Sequence, residues 1–473
     1  MDKNLLQEAM NYIDDDQLTQ AAKMPKKRKL LPWISAVAAV LALVLALHFF
    51  APAMVIQAEA VTLASGSRAR QWPNRDDYAD DDAWRAAVAE YDQWQETQYA
   101  LCGDAKDAMT DFLRDSCLEF LSGSEENLLY SPINAYIGLS VAAEMTAGST
   151  RQELLRLLGV QNVKELREQI SALWESVYQD DGNEISTLAN SLWLDESLSA
   201  KQSAMDTLAY HYYCSSYRQS LSDPQAGRDI AAWINQNTGN FLSDFTKDYQ
   251  LPAETILALY STIYFQAKWV NDFNAANNTQ DIFHASTGDY TCTFMHQKQM
   301  HGDYYWGDSY GAVSMWLKNG SQMWFILPDE GKTTEDVLRE GQYLDMVTAS
   351  YEAAQVNKKY MMINLSVPKF DIQAQANLKD GLAKMGVTEL FQMGQADFSA
   401  SLQETAYITA VNQSVRVAID EKGITAAAYI EFPGAGAAMP PDEIIDFVLD
   451  RPFLFVITNA DGIVLFTGTV NQP

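Results

Sequence analysis

The chain is long and strongly acidic, with 473 residues, 48% of them hydrophobic, and a formal net charge of −29 at pH 7. That size and apolar content are enough for one large core or for two or three domains. The acidity argues against non-specific binding to nucleic acid or anionic lipid, because both of those surfaces are themselves negative.

The four cysteines are too few for a fold that is built on disulfides. They are Cys102, Cys117, Cys214 and Cys292, and no CxxC spacing indicates a zinc knuckle or a thioredoxin-like site. Cys102 and Cys117 would form a disulfide only if their Cα atoms came within about 7 Å. We therefore expect free thiols, with this one pairing as the alternative.

The first predicted element is a transmembrane helix over residues 30–50. This stretch is apolar except for Ser35 and His48, and it follows a basic cluster at residues 26–29. Its length matches the hydrocarbon core of a bilayer, which is about 30 Å thick, and the basic cluster keeps residues 1–29 in the cytoplasm. We predict a signal anchor that attaches the chain to the membrane and leaves its body outside the cell.

A cleaved signal peptide is the alternative for the same region. The small residues around Ala60 resemble a cleavage site, and cleavage there would release a secreted protein. Against cleavage, the apolar stretch exceeds the usual hydrophobic region of about 7–15 residues, and a long polar segment precedes it.

Residues 51–103 are predicted to be an extracytoplasmic linker or stalk. An acid-rich patch lies at residues 76–82, and a helix-like pattern follows it. The patch lacks the spacing and the central glycine of an EF-hand, which favours a solvated segment over a calcium site.

No local motif indicates an enzyme or a cofactor. The sequence contains no nucleophile elbow, no Walker A loop, no dinucleotide-binding glycine motif and no HExxH zinc motif. Cys292, His296 and His301 are spaced so that they fall on different faces of a strand, which favours structural roles over metal ligation. We predict a protein that is not an enzyme and needs no metal or cofactor. A Ser-His-Asp triad assembled from distant residues is the alternative.

The body of the chain mixes helical and strand patterns without internal repeats. Helical patterns cover residues 107–121, the stretch after Ser131, residues 149–158 and 163–178, and the stretch before Gly239. From residue 256 onward, runs rich in β-branched and aromatic residues predominate and indicate strands. This order predicts an α+β fold with a large, mostly antiparallel sheet.

Several of these segments resemble those of the serpins, in the order in which that family has them. The segments are NLLYSPINAYIGLSVAAEMTAGSTRQELLRLLG, TIYFQAKWVNDF, VPKFDIQAQANLKDGLAKMGVTELF, AVNQSVRVAIDEKG and RPFLFVITNADGIVLFTGTVNQP. The resemblance covers residues 104–473 and implies a monomeric serpin-like domain. It would have a large central sheet, smaller sheets, about eight or nine helices and an exposed reactive-centre loop.

The resemblance identifies residues 421–441, a stretch of small residues, as the reactive-centre loop that a target protease cleaves. If Glu421 is the seventeenth residue before the cut, the reactive bond joins Ala437 to Ala438. The Ala435–Gly436 and Ala438–Met439 bonds are alternatives. The hinge of the loop then comprises Glu421, Lys422, Gly423, Ile424, Thr425, Ala426, Ala427 and Ala428.

The residues of this loop suit insertion into a sheet. Side chains alternate between the two faces of a strand. From residue 424 to residue 432 the even positions are all apolar, while the odd positions carry every polar or charged group. No proline occurs before Pro433, so these residues can join a ladder on both sides. The side chains predicted to be buried on insertion are Ile424, Ala426, Ala428, Ile430 and Phe432.

The resemblance also indicates a region through which the central sheet opens. Its predicted members are Ser131, Asn134, Ser261, Trp269 and Asn412. The family usually has serine at Asn134, asparagine at Ser261 and histidine at Asn412, and it has threonine at Ile424. The three polar replacements keep hydrogen-bonding groups, so we expect a rearranged polar network there.

The function that the resemblance implies is suicide-substrate inhibition of extracellular serine proteases. The target protease forms a covalent acyl-enzyme with the loop, which then inserts into the central sheet and distorts the bound enzyme. Ala437 is small and uncharged, which favours an elastase-like target. A non-inhibitory serpin that acts as a binding or structural protein, and an inhibitor of cysteine proteases, are the alternatives.

Overall fold

The computed structural model describes residues 60–66, 70, 72–180, 184–349, 357–424 and 443–473. The predicted transmembrane helix at 30–50 and loop residues 425–442 lie outside these ranges. Within them, no helix is both long enough and apolar enough to cross a bilayer.

Ten α-helices occur in the described residues. They are α1 (Asp81–Leu121), α2 (Pro132–Met145), α3 (Gly148–Leu157), α4 (Val163–Val177), α5 (Gln202–His211), α6 (Pro224–Asn237), α7 (Ser243–Thr246), α8 (Thr334–Glu340), α9 (Gln342–Thr348) and α10 (Lys379–Lys384). The helix-like pattern that follows the acid-rich patch and the one at 107–121 belong to one helix, α1, so the predicted domain boundary at 103/104 falls inside it.

The strands alternate with these helices and form two sheets. They are β1 (Val61–Ala64), β2 (Leu128–Tyr130), β3 (Gln179–Asp180), β4 (Ile185–Asp195), β5 (Cys214–Gln219), β6 (Leu257–Lys268), β7 (Thr279–Ala285), β8 (Gly288–Trp306), β9 (Tyr310–Trp316), β10 (Gln322–Pro328), β11 (Lys358–Pro368), β12 (Phe370–Asn377), β13 (Asn412–Ile419), β14 (Gly423–Ile424), β15 (Ile444–Val448), β16 (Phe453–Thr458) and β17 (Val464–Val470).

The first sheet has eight strands, seven of them in the order β1-β5-β4-β6-β14-β13-β12, with β3 beside β4. The second has nine, in the order β15-β11-β8-β9-β10-β16-β17-β2, with β7 beside β8. Only the β4/β5 and β11/β15 pairs are parallel within the described strands. The predicted α+β fold with a large, mostly antiparallel sheet is therefore confirmed.

Helix α2 lies in the core and contacts both β6 of the first sheet and β17 of the second. Ser131 is its N-cap residue and Pro132 occupies the first turn, where a missing backbone N–H costs nothing. Nearly every side chain of α2 is buried, as its small apolar residues predict. The helix therefore connects the two sheets through the core.

A buried carboxylate near the end of α2 is neutralised by a neighbouring helix. The Glu144 side chain is 8% exposed and accepts two hydrogen bonds from the Arg167 guanidinium, at 2.8 and 2.7 Å. The Tyr212 hydroxyl donates a third hydrogen bond to it at 2.9 Å. Because a buried charge without a partner is costly, this arrangement joins α2, α4 and the end of α5.

We predict that Arg167→Ala lowers the free energy of unfolding by about 2 kcal/mol, because it leaves the Glu144 carboxylate buried without a cation. The loss is smaller than for a fully buried pair, since the Arg167 side chain is 33% exposed. Arg228→Ala is the matched control, because among the described residues exposed Arg228 hydrogen-bonds only Gln225 of its own helix. Urea unfolding of the two variants measures the difference, and equal losses would contradict the assignment.

Candidate functional site

The candidate site lies in the first sheet, where the two residues of β14 separate β6 from β13. Ile424 is paired with Ile419 of β13 on one side and with Ala267 of β6 on the other. All three side chains are buried, and Ile424 is 1% exposed. The start of the predicted hinge is therefore already a strand between its two neighbours.

Gly423 permits this close approach of the chain to β6. A Cβ atom at this position would lie 2.2 Å from the carbonyl oxygen of Ala267 and 2.7 Å from the Cα of Lys268. A side chain there would displace β14 from β6, since real Cβ contacts are not that short. Gly423 therefore allows β14 to lie close enough to β6 for Ile424 to pair with Ala267.

The carboxylate of Glu421 fixes the chain just before β14. It lies 2.5 Å from the Lys369 ammonium and accepts a hydrogen bond from the Asn278 amide, and its side chain is 14% exposed. Burial alone would raise the pKa of Glu421, but the hydrogen bonds from Lys369 and Asn278 outweigh it and leave the pKa below its ordinary 4.5. The residue is therefore held as a charged anchor.

The main chain on either side of Glu421 is held by a short segment that follows β6. The Trp269 indole donates to the carbonyl of Asp420 at 2.9 Å, and the Trp269 amide donates to the carbonyl of Lys422 at 3.0 Å. The Phe273 amide donates to the carbonyl of Glu421 at 3.0 Å. Trp269, predicted as part of the opening region, thus positions the base of the hinge.

Beyond β14, the two neighbouring strands β6 and β13 contact each other. Within the described residues they nevertheless form no ladder pairs with each other, and β14 stands between them in the strand order. A cleft of about 430 Å³ lies further along these strands, bordered by Tyr260 and Thr262 of β6 and by Asn412 and Ser414 of β13, and also by residues of α6, α7 and β12. We call this cleft, together with the position of β14, the slot.

A second, smaller cavity of about 40 Å³ lies between the slot and α2. Three of the predicted opening residues, Asn134, Ser261 and Asn412, line it. The amide nitrogen of Asn134 and the hydroxyl of Ser261 are buried and have no hydrogen-bond partner within the described residues. Both residues thus line this cavity with a polar atom that the described residues leave unpaired.

The remaining opening residue, Ser131, bonds to a residue that the sequence did not indicate. Gln413 of β13 accepts from the Ser131 amide at 2.9 Å and donates to the Ser131 carbonyl at 2.9 Å. The Ser131 hydroxyl donates to the carbonyl of Leu465 at 2.6 Å. The signal in the sequence was a glutamine in the core-facing register of β13, where Val415, a valine and an isoleucine follow at alternate positions.

Of the predicted loop, only Glu421, Lys422, Gly423 and Ile424 lie within the described residues. Hinge residues 425–428, the reactive bond Ala437–Ala438 and the remaining insertion residues Ala426, Ala428, Ile430 and Phe432 lie outside them and stay predictions. Glu421 to Ile424 come together with Trp269 at one end of the slot, whereas Ser131, Asn134, Ser261 and Asn412 meet at the other.

The structure also places the cysteines and histidine His296 considered above. All four cysteines are free thiols, so Cys102 and Cys117 do not pair. His296 hydrogen-bonds Thr279 at 2.7 Å and Ser366 at 2.8 Å, and it therefore bridges β7, β8 and β11. The described residues contain no group of three or more metal-ligating side chains.

Comparison with known proteins agrees with this architecture. Residues 108–473 match the family model described as serpin (serine protease inhibitor). The guinea-pig (Cavia porcellus) serine proteinase inhibitor A3K is 27% identical over 357 residues, which cover 73% of this chain and 84% of that protein.

Two solved structures share the fold. The thermophilic serpin tengpin in its native state is similar with a TM-score of 0.68 and 22% identity, over 77% of this chain and 93% of that one. Thyroxine-binding globulin in complex with thyroxine is similar with a TM-score of 0.61 and 21% identity, over 77% and 99%. The serpin family model matches residues 108–473, which is most of the chain. The chain therefore belongs to the serpin family.

Proposed function

We propose that this serpin is a suicide-substrate inhibitor of extracellular serine proteases, and that its cleaved loop inserts into the slot between β6 and β13. The observation that carries the proposal is the pairing of Ile424 with both strands at the head of the slot. That pairing already defines the direction and the face in which the rest of the loop would continue.

The register of β14 extends into the slot by simple antiparallel continuation. Each residue further along the loop moves one residue back along both neighbours. Ala426 would then lie opposite Val417 and Phe265, because Ile424 lies opposite Ile419 and Ala267. Val417 and Phe265 are buried, so the even positions of the loop would face the core.

The same register brings the larger apolar side chains to the unfilled cavity. Ile430 would lie opposite Gln413 and Ser261. Phe432, two residues further along the loop, would lie opposite Leu259. Gln413, Ser261 and Leu259 all line the 40 Å³ cavity behind the slot. Insertion would therefore place apolar volume in a cavity that the described residues leave open.

The length of the slot also fits the loop. Strand β13 begins at Asn412, which would lie opposite Glu431 in this register. The first proline, Pro433, follows just beyond that point, where a missing N–H no longer removes a ladder bond. The part of the loop without proline thus spans the slot from end to end.

Insertion would be favourable once cleavage frees one end of the loop. Burial of a side chain such as Ile430 contributes about 1.5–3 kcal/mol, and each new ladder hydrogen bond contributes about 0.5–1.5 kcal/mol. A protease attached to the loop as an acyl-enzyme would be carried along the sheet and distorted before water could release it.

The reactive bond sets the class of target. Ala437 offers no cation for a trypsin-like pocket and no large ring for a chymotrypsin-like one, so we propose an elastase-like serine protease. We also propose that the inhibitor acts outside the cell, either anchored through residues 30–50 or secreted after cleavage near Ala60. The basic cluster beside an apolar stretch supports export in both cases.

A non-inhibitory serpin is the second candidate, and one observation favours it. A related solved structure is thyroxine-binding globulin in complex with thyroxine, so a chain of this fold can bind a small molecule. If cleavage of the loop left the melting temperature unchanged, this alternative would be supported over inhibition. Formation of a complex with cysteine proteases only, or turnover of simple esters, would indicate the other two alternatives.

The central prediction is a covalent complex that depends on the face of the strand. The full chain mixed with an elastase should give a complex stable in SDS, with the cut mapped by mass spectrometry between Ala437 and Ala438. Ala426→Arg should turn the inhibitor into a substrate, because insertion would bury an unpaired charge beside Val417.

Thr425→Arg is the matched control, because residue 425 would face away from the core, opposite Ala418. This variant should keep at least about half of the complex formation, since its cation stays on the half-exposed face. A wild-type chain that is cleaved without forming a complex would contradict inhibition. Equal behaviour of the two arginine variants would contradict the register.

The charged anchor at Glu421 predicts a pH dependence of the hinge. The pKa of Glu421 is lowered in the folded chain. The ionised carboxylate therefore stabilises the hinge fully above pH 4.5, and this stabilisation is lost as the pH falls through the lowered pKa. Hydrogen exchange, corrected for intrinsic rates, should show the Gly423 and Ile424 amides losing protection in acid before β16 does. Glu421→Gln should reduce their protection about tenfold already at pH 7. Identical pH profiles for the variant and the wild type would refute the anchor.

A further inference from the structure

Strand β1 lies at the outer edge of the first sheet and precedes residue 108, where the match to the serpin family begins. It pairs with β5 in antiparallel register, so that Ala64 lies opposite Ser216. The Gln202 amide of α5 donates to the carbonyl of Leu63 at 3.1 Å, and the Leu63 side chain packs against the hydrophobic core. An element outside the family match is therefore built into the sheet.

The register of the strands connects β1 to the far end of the slot. Ser216 is paired with Ala64 of β1 on one side and with Leu192 of β4 on the other. Leu192 in turn is paired with Leu259 of β6, which lines the 40 Å³ cavity behind the slot. A single row of paired residues thus runs from β1 to the place where an inserting strand would have to push the sheet apart.

The chain that follows β1 reaches the opposite side of the slot through α1. Near the end of this helix, the Glu119 carboxylate lies 2.5 Å from the ammonium of Lys384 in α10. The Phe120 ring packs so closely on α10 that a Cβ atom at Gly381 would lie 2.3 Å from it. Helix α10 follows β12, whose last residue is paired with Asn412 of β13 at the far end of the slot.

The segment between β1 and α1 is also attached to the body of the molecule. The Gly66 amide donates to the Ser215 hydroxyl at 3.0 Å. The Arg70 amide donates to the Glu175 carboxylate of α4 at 3.4 Å, and the Arg70 guanidinium is paired with Glu90 of α1 at 2.9 Å. The chain is therefore held along its way from one side of the slot to the other.

We propose that β1 and the chain from it through α1 form a strap that holds the far end of the slot closed, and that β1 must leave β5 before a strand enters there. The role rests on the proposed function, because loop insertion is what requires the sheet to open. An added strand would move β6 and β13 apart by about 4.8 Å, the spacing of neighbouring strands. The two ends of the strap are fixed on opposite sides of that gap, so they oppose the opening.

Strand β1 is the end of the strap that gives way first. It has only four residues, it pairs with β5 alone among the described strands, and Val61 is 55% exposed. Helix α1 has 41 residues and packs a buried face from Cys102 to Leu121. A short edge ladder can open while the core stays folded. The strap therefore adds a barrier to opening of the sheet without closing it permanently.

Annealing of a fluorescent peptide to the full chain, followed by anisotropy, measures opening of the slot without a protease. The peptide has the sequence of residues 425–432, TAAAYIEF. Gly66→Ala should anneal about fivefold faster than the wild type, the factor that one lost ladder hydrogen bond would give. The reason is that a Cβ atom at residue 66 would lie 2.4 Å from the carbonyl oxygen of Tyr213 and would push the chain away from β5.

Gly302→Ala is the matched control for this substitution. It adds the same methyl group to a strand of the second sheet, where the nearest atom, a methyl of Ile363, would lie at an ordinary 3.7 Å. This variant should anneal the peptide at the rate of the wild type.

A disulfide between β1 and β5 gives the opposite test and does not depend on how well Gly66→Ala folds. Val61→Cys combined with Arg218→Cys places two thiols on directly opposite residues. The oxidised chain should anneal the peptide at least about fivefold more slowly than the same chain after reduction. The four native cysteines are free thiols, so reduction changes only the added bond.

The outcomes separate the strap from the proposed function. Equal rates for Gly66→Ala and the wild type, or for the oxidised and reduced double variant, would overturn the strap and leave loop insertion standing. A Gly302→Ala chain that anneals as fast as Gly66→Ala would also overturn the strap. A peptide that anneals to no form of the chain would overturn the strap and loop insertion together.

Discussion

The insertion of Ile424 between β6 and β13 is the interaction on which this account of the molecule depends. The side chain is buried with Ile419 and Ala267, and its backbone pairs with both neighbours. One residue thereby fixes the strand direction, the register and the buried face for everything that could follow it. The anchor at Glu421 and the close contact of Gly423 with β6 determine where that strand begins.

At the far end of the slot, by contrast, only some of the buried polar groups have hydrogen-bond partners. Gln413 and Ser131 satisfy each other, but buried polar atoms of Asn134 and Ser261 lack partners in the described residues. Each such atom costs about 1–3 kcal/mol, and unfilled apolar space adds to that cost. Under the proposed function, a strand that extends from the packed head of the slot to this end would add stability, which is what a conformational trap requires.

Much of this arrangement could be predicted from local patterns in the sequence. Helix α2 was visible from Pro132 and its small apolar residues, and of the predicted insertion face only the burial of Ile424 falls within the described residues. The edge strand Val61–Ala64 was not predicted, because a four-residue strand is defined by its distant partner β5 rather than by its own pattern. The bond between Gln413 and Ser131 was missed for the same reason, since it joins residues far apart in the chain. Whether Ala437 is the cleaved residue stays a prediction.

A crystal structure of the full chain after cleavage by an elastase tests the central claim most directly. The account predicts a continuous strand from Ile424 to Phe432 between β6 and β13, with Ala426 opposite Val417 and Ile430 beside Ser261 and Gln413. The pairing of Ile424 with Ile419 and Ala267 should be unchanged. A cleaved chain in which β6 and β13 pair directly, or in which the loop enters with its odd positions toward the core, would contradict the account.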